Sequence, residues 1–402
     1  MKPIVRAGRM KPVHSDIRGP LFVEAMKRQK QGIDILKLNT GNPATFGFGL
    51  PDSIKNALIE HMQDGVGYCD FKGMPQARQA ICDYETSKGI TSDDVFIGNG
   101  VSEVVSFALT PLLNDGDEVL VPSPSYSLWG NSVYLEDGKP VFYTCDEQAN
   151  WYPDIKDIRS KITDKTKAIV IINPNNPTGV LYPKELLLEI IQIARESGLL
   201  IFADEIYDRL VMDGKQHISL ASLTEDVPVI TLNGLSKSHC LCGYRCGWMV
   251  ISGPRELTED YRQGIIQLTS LRLCANTMAQ IVIPAALDDM ETPASMVRPG
   301  GRIYEQREAT VRELEKIDGL SFVKNDAAFY VFPKLDVKKF NITNDKQFAH
   351  DLLDVTNILL VPGSGFDWKN PDHFRIVMLP QADILSDAIR RMGTFLDGYK
   401  QK

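Results

Sequence analysis

The chain has no long apolar run. Its apolar stretches are short, such as "AIVII" at 168–172, and none approaches the roughly 18 residues that a bilayer-spanning helix needs. The opening "MKPIVRAGRMKPVHSD" is positively charged but has no apolar h-region, so no secretory signal is expected and the cytoplasm is the expected location. Basic excess is missing too: 44 Lys and Arg stand against 52 Asp and Glu, for a net charge of −8. The basic residues are scattered, which argues against a nucleic-acid or anionic-membrane surface and leaves room only for a local pocket that binds a small anion. Cysteine is sparse. Seven residues, an odd number spread over 402 positions, do not make a disulfide framework. The single cluster, Cys240, Cys242 and Cys246, lacks the paired CxxC or histidine spacing of a zinc site, and only His239 adjoins it. These thiols are expected to pack near a buried site, and no metal is expected. There is no repeat, low-complexity tract or obvious linker.

What is present is alternation. "DEVLVP" (117–122), "KAIVIIN" (167–173), "GLLIFAD" (198–204) and "VPVITLN" (227–233) each read as a buried strand. Between the second and third, "YPKELLLEIIQIARESG" has Pro183 near its start, Leu and Ile at helical spacing and Gly198 at its stop. A strand–helix–strand crossover implies an α/β fold, a mainly parallel sheet sandwiched by helices. Further on, 295–319 reads as one long helix, and looser alternation with helices at 346–355 and 382–399 suggests a smaller α/β domain. The expected division is a large domain over 46–289, and a small domain over 290–402 joined by the N-terminal arm, 1–45. The arm could dock on either part.

In open parallel sheets ligands bind beyond the carboxyl ends of the strands, and each expected strand here ends in unusual residues. "AIVII" runs into "NPNNPTG", a rigid turn that presents amides; "LLIFA" ends in Asp204, followed by Glu205 and Tyr207; "VITLN" leads to Ser236 and Lys237. Upstream, "FIGNGVSEVVSF" opens a helix at Gly100, Val101 and Ser102, whose free N–H groups suit a phosphate, and Arg245 could add a positive charge. A lysine, a buried acid, a phenol and a phosphate cradle together match pyridoxal 5'-phosphate. Its aldehyde condenses with an amine, its ring nitrogen needs a carboxylate and its phosphate an anion site.

The motifs "LKLNTGNP", "GYCDFKGMPQARQAI", "PSPSYSLW", "NPNNPTG", "ADEIYDRL", "NGLSKSHCLCGYRCGW" and "HFRIVML" resemble, in order and spacing, those of the class I, fold-type-I pyridoxal-phosphate aminotransferases. Within that family the chain is most similar to the bacterial alanine (glutamate–pyruvate) group. The resemblance implies that Lys237 bonds the cofactor and then moves the proton at the substrate's Cα, with Asp204 on the ring nitrogen. It implies Tyr207 and Asn176 on the ring oxygen and Tyr126 on the ring face. Gly100, Val101, Ser102, Ser236 and Arg245 would hold the phosphate, joined by Tyr68 from a neighbouring subunit, so a homodimer with shared sites is implied. Arg375 would clamp the substrate carboxylate, completed by Gly41 and Asn176, and Arg18 would line the side-chain pocket or its entrance, with a surface ion pair as its alternative.

Two positions depart from the family pattern. Gly234 stands where many relatives have serine, and Ser15 where an aromatic residue would suit an alanine-specific pocket; a smaller residue there widens it. The implied reaction moves the amino group of alanine or glutamate to 2-oxoglutarate or pyruvate. The rivals are transamination of valine, aspartate or an aromatic amino acid, a C–S β-lyase using the same proton abstraction, and a cofactor-sensing regulator. The last is disfavoured because no basic helix-turn-helix precedes "LNTGNP".

Overall fold

The computed structural model describes residues 2–87 and 89–402. Its centre is an eight-stranded sheet built from β1 (Val95–Asn99), β2 (Glu118–Ser123), β3 (Lys139–Asp146), β4 (Tyr152–Pro153), β5 (Thr166–Ile172), β6 (Leu200–Asp204), β7 (Val229–Gly234) and β8 (Cys246–Ser252). The spatial order is β1-β8-β7-β6-β5-β2-β3-β4. The four strands expected from apolar runs, β2, β5, β6 and β7, lie side by side and parallel. Their side chains are buried on both faces, which is why they read as continuous apolar runs rather than as alternation. Strand β8 runs antiparallel to both its neighbours, β7 and β1. Its run "CGWMVIS" begins in the cysteine cluster, and glycine and sulfur at its start mask the strand pattern.

Helix α1 (Val101–Leu109) follows β1, α2 (Leu128–Leu135) follows β2, and α3 (Lys184–Ser197) makes the β5–β6 crossover. Helix α3 buries Leu187, Ile190, Ile191 and Ala194 on one face and stops where Gly198 takes φ +64°. Each such buried Leu or Ile contributes roughly 1.5–3 kcal/mol of transfer free energy. A single turn, α4 (Leu235–Ser238), extends from β7 and presents Lys237.

A second core gathers Leu38, Leu314, Val331, Phe348, Leu352, Phe374, Ile389 and Met392, so residues from both ends of the sequence meet in it. Its sheet is small, with β9 (Tyr330–Val331), β10 (Val361–Pro362) and β11 (Phe374–Val377) paired antiparallel in the order β9-β11-β10. The N-terminal arm docks on both parts. Leu36–Lys37 pairs with Ile358–Leu359 beside the second core, while Arg9 reaches Asp137 and His14 reaches Asn131 next to the large sheet.

One sequence expectation is corrected. The stretch 295–319 is not one helix but the end of Glu291–Val297 followed by Arg302–Leu314. Arg298 is extended, Pro299 offers no N–H, and Gly300 adopts φ +82°, so the helical ladder cannot continue through them.

Candidate active site

The chain leaves β2 toward β3 on one side and returns through β5 to β6 and β7 on the other. Such a reversal opens a crevice beyond the carboxyl ends of the strands. Here it opens into a cleft of about 840 Å³ lined by Tyr126 after β2, Asn176 after β5, Asp204 and Tyr207 at the end of β6, and Ser236 and Lys237 on α4. Val101, Ser102, Arg245, Gly41, Arg18 and Arg375 also line it. Neighbouring strands hold these groups in register: Ile172 pairs with Asp204, and Asp204 with Leu232.

Asp204 is 4 % exposed and, among the described residues, has no cationic partner within ion-pair distance. Burial pushes its carboxyl up to about 6, against the lowering effects of the Trp129 indole, the Ile206 N–H and the Lys237 charge. Trp129 Nε1 donates to Asp204 Oδ2 at 3.0 Å, and its ring packs on Phe202. Trp129→Phe should keep this packing but remove the donor. Denaturant unfolding at pH 7.5 is expected to show a loss of about 1.5–3 kcal/mol, the usual contribution of a hydrogen bond to a charged group. The loss should shrink at pH 5, where the carboxyl holds its own proton.

Lys237 Nζ donates to the Gly41 carbonyl at 3.0 Å and lies 3.9 Å from Cys242 Sγ. Burial pulls its ammonium down, but the facing Tyr330, Cys242 and Tyr126 outweigh that and hold it above the ordinary lysine value. Tyr207 is buried, its hydroxyl 2.9 Å from that of Tyr330, and burial raises it well above a normal phenol.

Arg375 is 1 % exposed. Its Nη1 donates to Asn176 Oδ1 at 2.9 Å, its Nη2 donates to the Asn39 carbonyl, and its Nε finds no partner. The rings of Tyr330 and Phe366 sandwich the guanidinium at 4.6 Å each. No carboxylate neutralises it among the described residues. A buried cation left this way is a strong anion site.

At the other end, Arg245 is held at φ +56° with Nη1 on the Cys242 carbonyl, also without a carboxylate partner among the described residues. Its guanidinium covers Gly100, where a Cβ would come within 2.3 Å of it. Gly247 on β8 admits the start of α1, since a Cβ there would meet the Val101 nitrogen at 2.4 Å. The α1 N-terminus, Ser102, Ser236 and Arg245 thus face one end of the cleft.

Of the residues expected from sequence, Gly100 lies beneath Arg245 rather than on the cleft wall, and Tyr68 stands apart, 83 % exposed and outside the cleft of its own chain. Arg18 lines the mouth, exposed, and makes no ion pair among the described residues, so the surface-pair alternative is not what the structure shows. The cysteines diverge. Cys246 is buried in β8, Cys240 Sγ lies 3.9 Å from Met296 Sδ, and Cys242 faces the cleft. Sequence reasoning assigned nothing to Trp129, Tyr330 or Asn39. Trp129 sits in "PSPSYSLW", three residues after Tyr126, which is the only hint; Tyr330 in "AAFYVFP" looks like any core aromatic.

The family model "Aminotransferase class I and II" matches residues 33–389. The chain belongs to this family. It is 50 % identical over its whole length to the glutamate-pyruvate aminotransferase AlaA of Haemophilus influenzae, and all of that protein is covered. It is 45 % identical to the alanine aminotransferase of Mycobacterium tuberculosis, over all of this chain and 94 % of that one. The crystal structure of an aminotransferase from Escherichia coli superposes with a TM-score of 0.98 at 47 % identity, covering both chains completely. The fold is accordingly that of the pyridoxal-phosphate aminotransferases, the chain is an aminotransferase, and its cofactor is pyridoxal 5'-phosphate. The cleft fits that cofactor: an amine at Lys237, a carboxylate at Asp204 with no cation of its own, and an unneutralised Arg245 over the glycine at the head of α1. Among the described residues no single helix is long and apolar enough to cross a membrane.

Proposed function

We propose that this aminotransferase exchanges the amino group between glutamate and pyruvate, giving 2-oxoglutarate and alanine, and runs the reverse reaction with the same groups. The observation that carries the reading is the buried Arg375, a guanidinium that no carboxylate neutralises among the described residues and that faces the same cleft as Lys237. It would take the α-carboxylate, with Asn176 and Gly41 beside it. The cofactor, when bound, supplies an electron sink that acidifies the amino acid's Cα–H. Lys237 is the amine that would hold it and afterwards carry the proton to and from Cα. Asp204 would sit at the ring nitrogen, Tyr207 and Asn176 at the ring oxygen and Tyr126 against the ring face. Gly100, Val101, Ser102, Ser236 and Arg245 would hold the phosphate.

The names of the relatives support the glutamate–alanine pairing. So does Arg18 at the mouth, which makes no ion pair among the described residues and would meet the second carboxylate of glutamate, while Ser15 beside it leaves room. Purified protein loaded with cofactor should convert glutamate and pyruvate to alanine and 2-oxoglutarate. Activity confined to aspartate, valine or aromatic donors, or pyruvate release from cystathionine without any 2-oxo acid, would refute the pairing.

Arg375→Lys should raise KM for both glutamate and alanine about 100-fold, because a point charge cannot keep the Asn176 and Asn39 contacts and also fork a carboxylate. Steady-state kinetics with each donor checks this.

The same reading makes the working unit a homodimer with shared sites. Tyr68 lies in an exposed apolar neighbourhood with Met62, Val66, Leu271 and Leu273, too many large side chains in water for a free surface. The Gly65 carbonyl accepts from Thr277, which ties the two stretches together. A second copy covering this patch would bring its Tyr68 to the phosphate end. Sedimentation should show a dimer, and Tyr68→Phe should weaken cofactor retention several-fold. The seven free cysteines suit a reducing cytoplasm.

A further inference from the structure

The part of the N-terminal arm that lines the cleft, Ser15 to Arg18, belongs to no helix or strand, so its position is set by a few specific ties. Asn131 on α2 makes two of them. The His14 N–H donates to Asn131 Oδ1 at 3.1 Å, and Asn131 Nδ2 donates to the His14 carbonyl at 2.6 Å. One amide side chain therefore satisfies both backbone groups of His14, much as a neighbouring strand would.

The His14 ring adds a second tie. Its Nε2 lies 3.1 Å from Asp367 Oδ1 and its Nδ1 3.7 Å from Asp16 Oδ2, and these two carboxylates hold the imidazole protonated, its affinity for the proton raised to about 9. Lys346 binds both Asp16 oxygens at 3.2 Å from the helix Asp345–Thr356. Next to Arg18, Asn39 Nδ2 donates to the Ile17 carbonyl at 2.8 Å, and the Asn39 carbonyl in turn accepts from Arg375. Ser15 and Arg18 thus hang between a clasp at His14 and a link at Ile17 to the carboxylate-binding arginine.

We propose that Asn131, acting through His14, is a positioning residue for substrate specificity: it holds Ser15 and Arg18 where a second carboxylate of the substrate is met. The inference rests on the reading of Arg18 given above. Asn131 borders the cleft itself, but its amide oxygen and nitrogen are both engaged by the His14 backbone, and a glutamate side chain depends on where the arm stands. Alanine, which ends at a methyl group near Lys237, does not.

The test uses the dimeric holoenzyme and follows each half-reaction alone, as loss of the cofactor's visible band with glutamate or with alanine. Asn131→Ala should raise the half-saturating glutamate concentration about tenfold and that for alanine by no more than about twofold, with both limiting rates kept within about twofold. Amide exchange over 14–18 should quicken in the same variant. His14→Ala, which leaves α2 untouched, should shift glutamate in the same direction by about threefold and serves if the first variant folds poorly. An equal rise for both amino acids, or no change for either, overturns the inference. Arg18→Ala separates the two layers. If it weakens glutamate selectively while Asn131→Ala and His14→Ala do not, the clasp alone is wrong. If Arg18→Ala leaves glutamate unchanged, the Arg18 reading is wrong and the inference falls with it.

Discussion

Lys237→Ala should lower turnover by at least about 10⁴-fold with every amino acid, the combined effect of losing a covalent attachment and a general acid–base at one atom. Among the described residues Lys237 is the only amine on a side chain that lines the cleft, so no described neighbour can stand in for it. Cys242, 3.9 Å from Nζ, is a thiol and cannot replace it. Fold and cofactor retention should survive, because on the proposed reading the phosphate would rest on Arg245 and the α1 N-terminus rather than on the lysine. Borohydride treatment followed by denaturation and dialysis should leave cofactor on the wild type and release it from the variant. Normal transamination by Lys237→Ala would remove the residue from the mechanism altogether.

Asp204→Asn is expected to cut the rate about 10²–10³-fold, the usual effect of removing one preorganised electrostatic partner from a dry site. The asparagine keeps the shape and can still accept from Trp129, but it carries no charge to keep a ring nitrogen protonated. Cofactor binding should fall far less than the rate. The same substitution has an opposite effect on the stability of the cofactor-free protein. The Asp204 carboxyl titrates at about 6 in the folded chain against an ordinary 3.8, so between those values the folded state holds a proton that the unfolded state has given up. Stability therefore declines as pH rises from about 4 to about 6, and above pH 6 the full cost of the buried charge is present. A shift of this size corresponds to about 3 kcal/mol. Asp204→Asn should be more stable than wild type by about that amount at pH 8 and no more stable at pH 4. Urea titrations of both cofactor-free proteins at the two pH values decide it, and equal stabilities at pH 8 would mean that the carboxylate is better solvated than its burial implies.

Both residues stand out in the linear sequence, and the reason is physical. A strand buried on both faces must be apolar throughout, so Asp204 at the end of "LLIFAD" and Asn173 at the end of "AIVIIN" contrast with what precedes them. The helix 184–197 is legible for the same kind of reason, a one-faced apolar pattern closed by Gly198. Lys237 is legible through its place just past a strand, and Arg375 through the family pattern in "HFRIVML" rather than through any local rule.

Other features are decided only in three dimensions. The antiparallel course of β8 and the paired role of Gly100 and Gly247 depend on which backbone passes close to which, and no short stretch encodes that. Trp129, Tyr330 and Asn39 reach the site from segments 75, 123 and 336 residues away from their hydrogen-bond partners Asp204, Tyr207 and Arg375. Their side chains look like ordinary core or turn residues until those partners are in place. The sheet, the order of the chemical groups along its edge and the family all follow from the amino-acid order. Folding alone settles that, among the described residues, Arg375 is left without a carboxylate and Arg18 without an ion pair at the mouth, and that Asn131 clasps the arm beside it. Local patterns arise from solvent and backbone geometry along the chain, whereas the pairing or isolation of a charge depends on every element that closes around it.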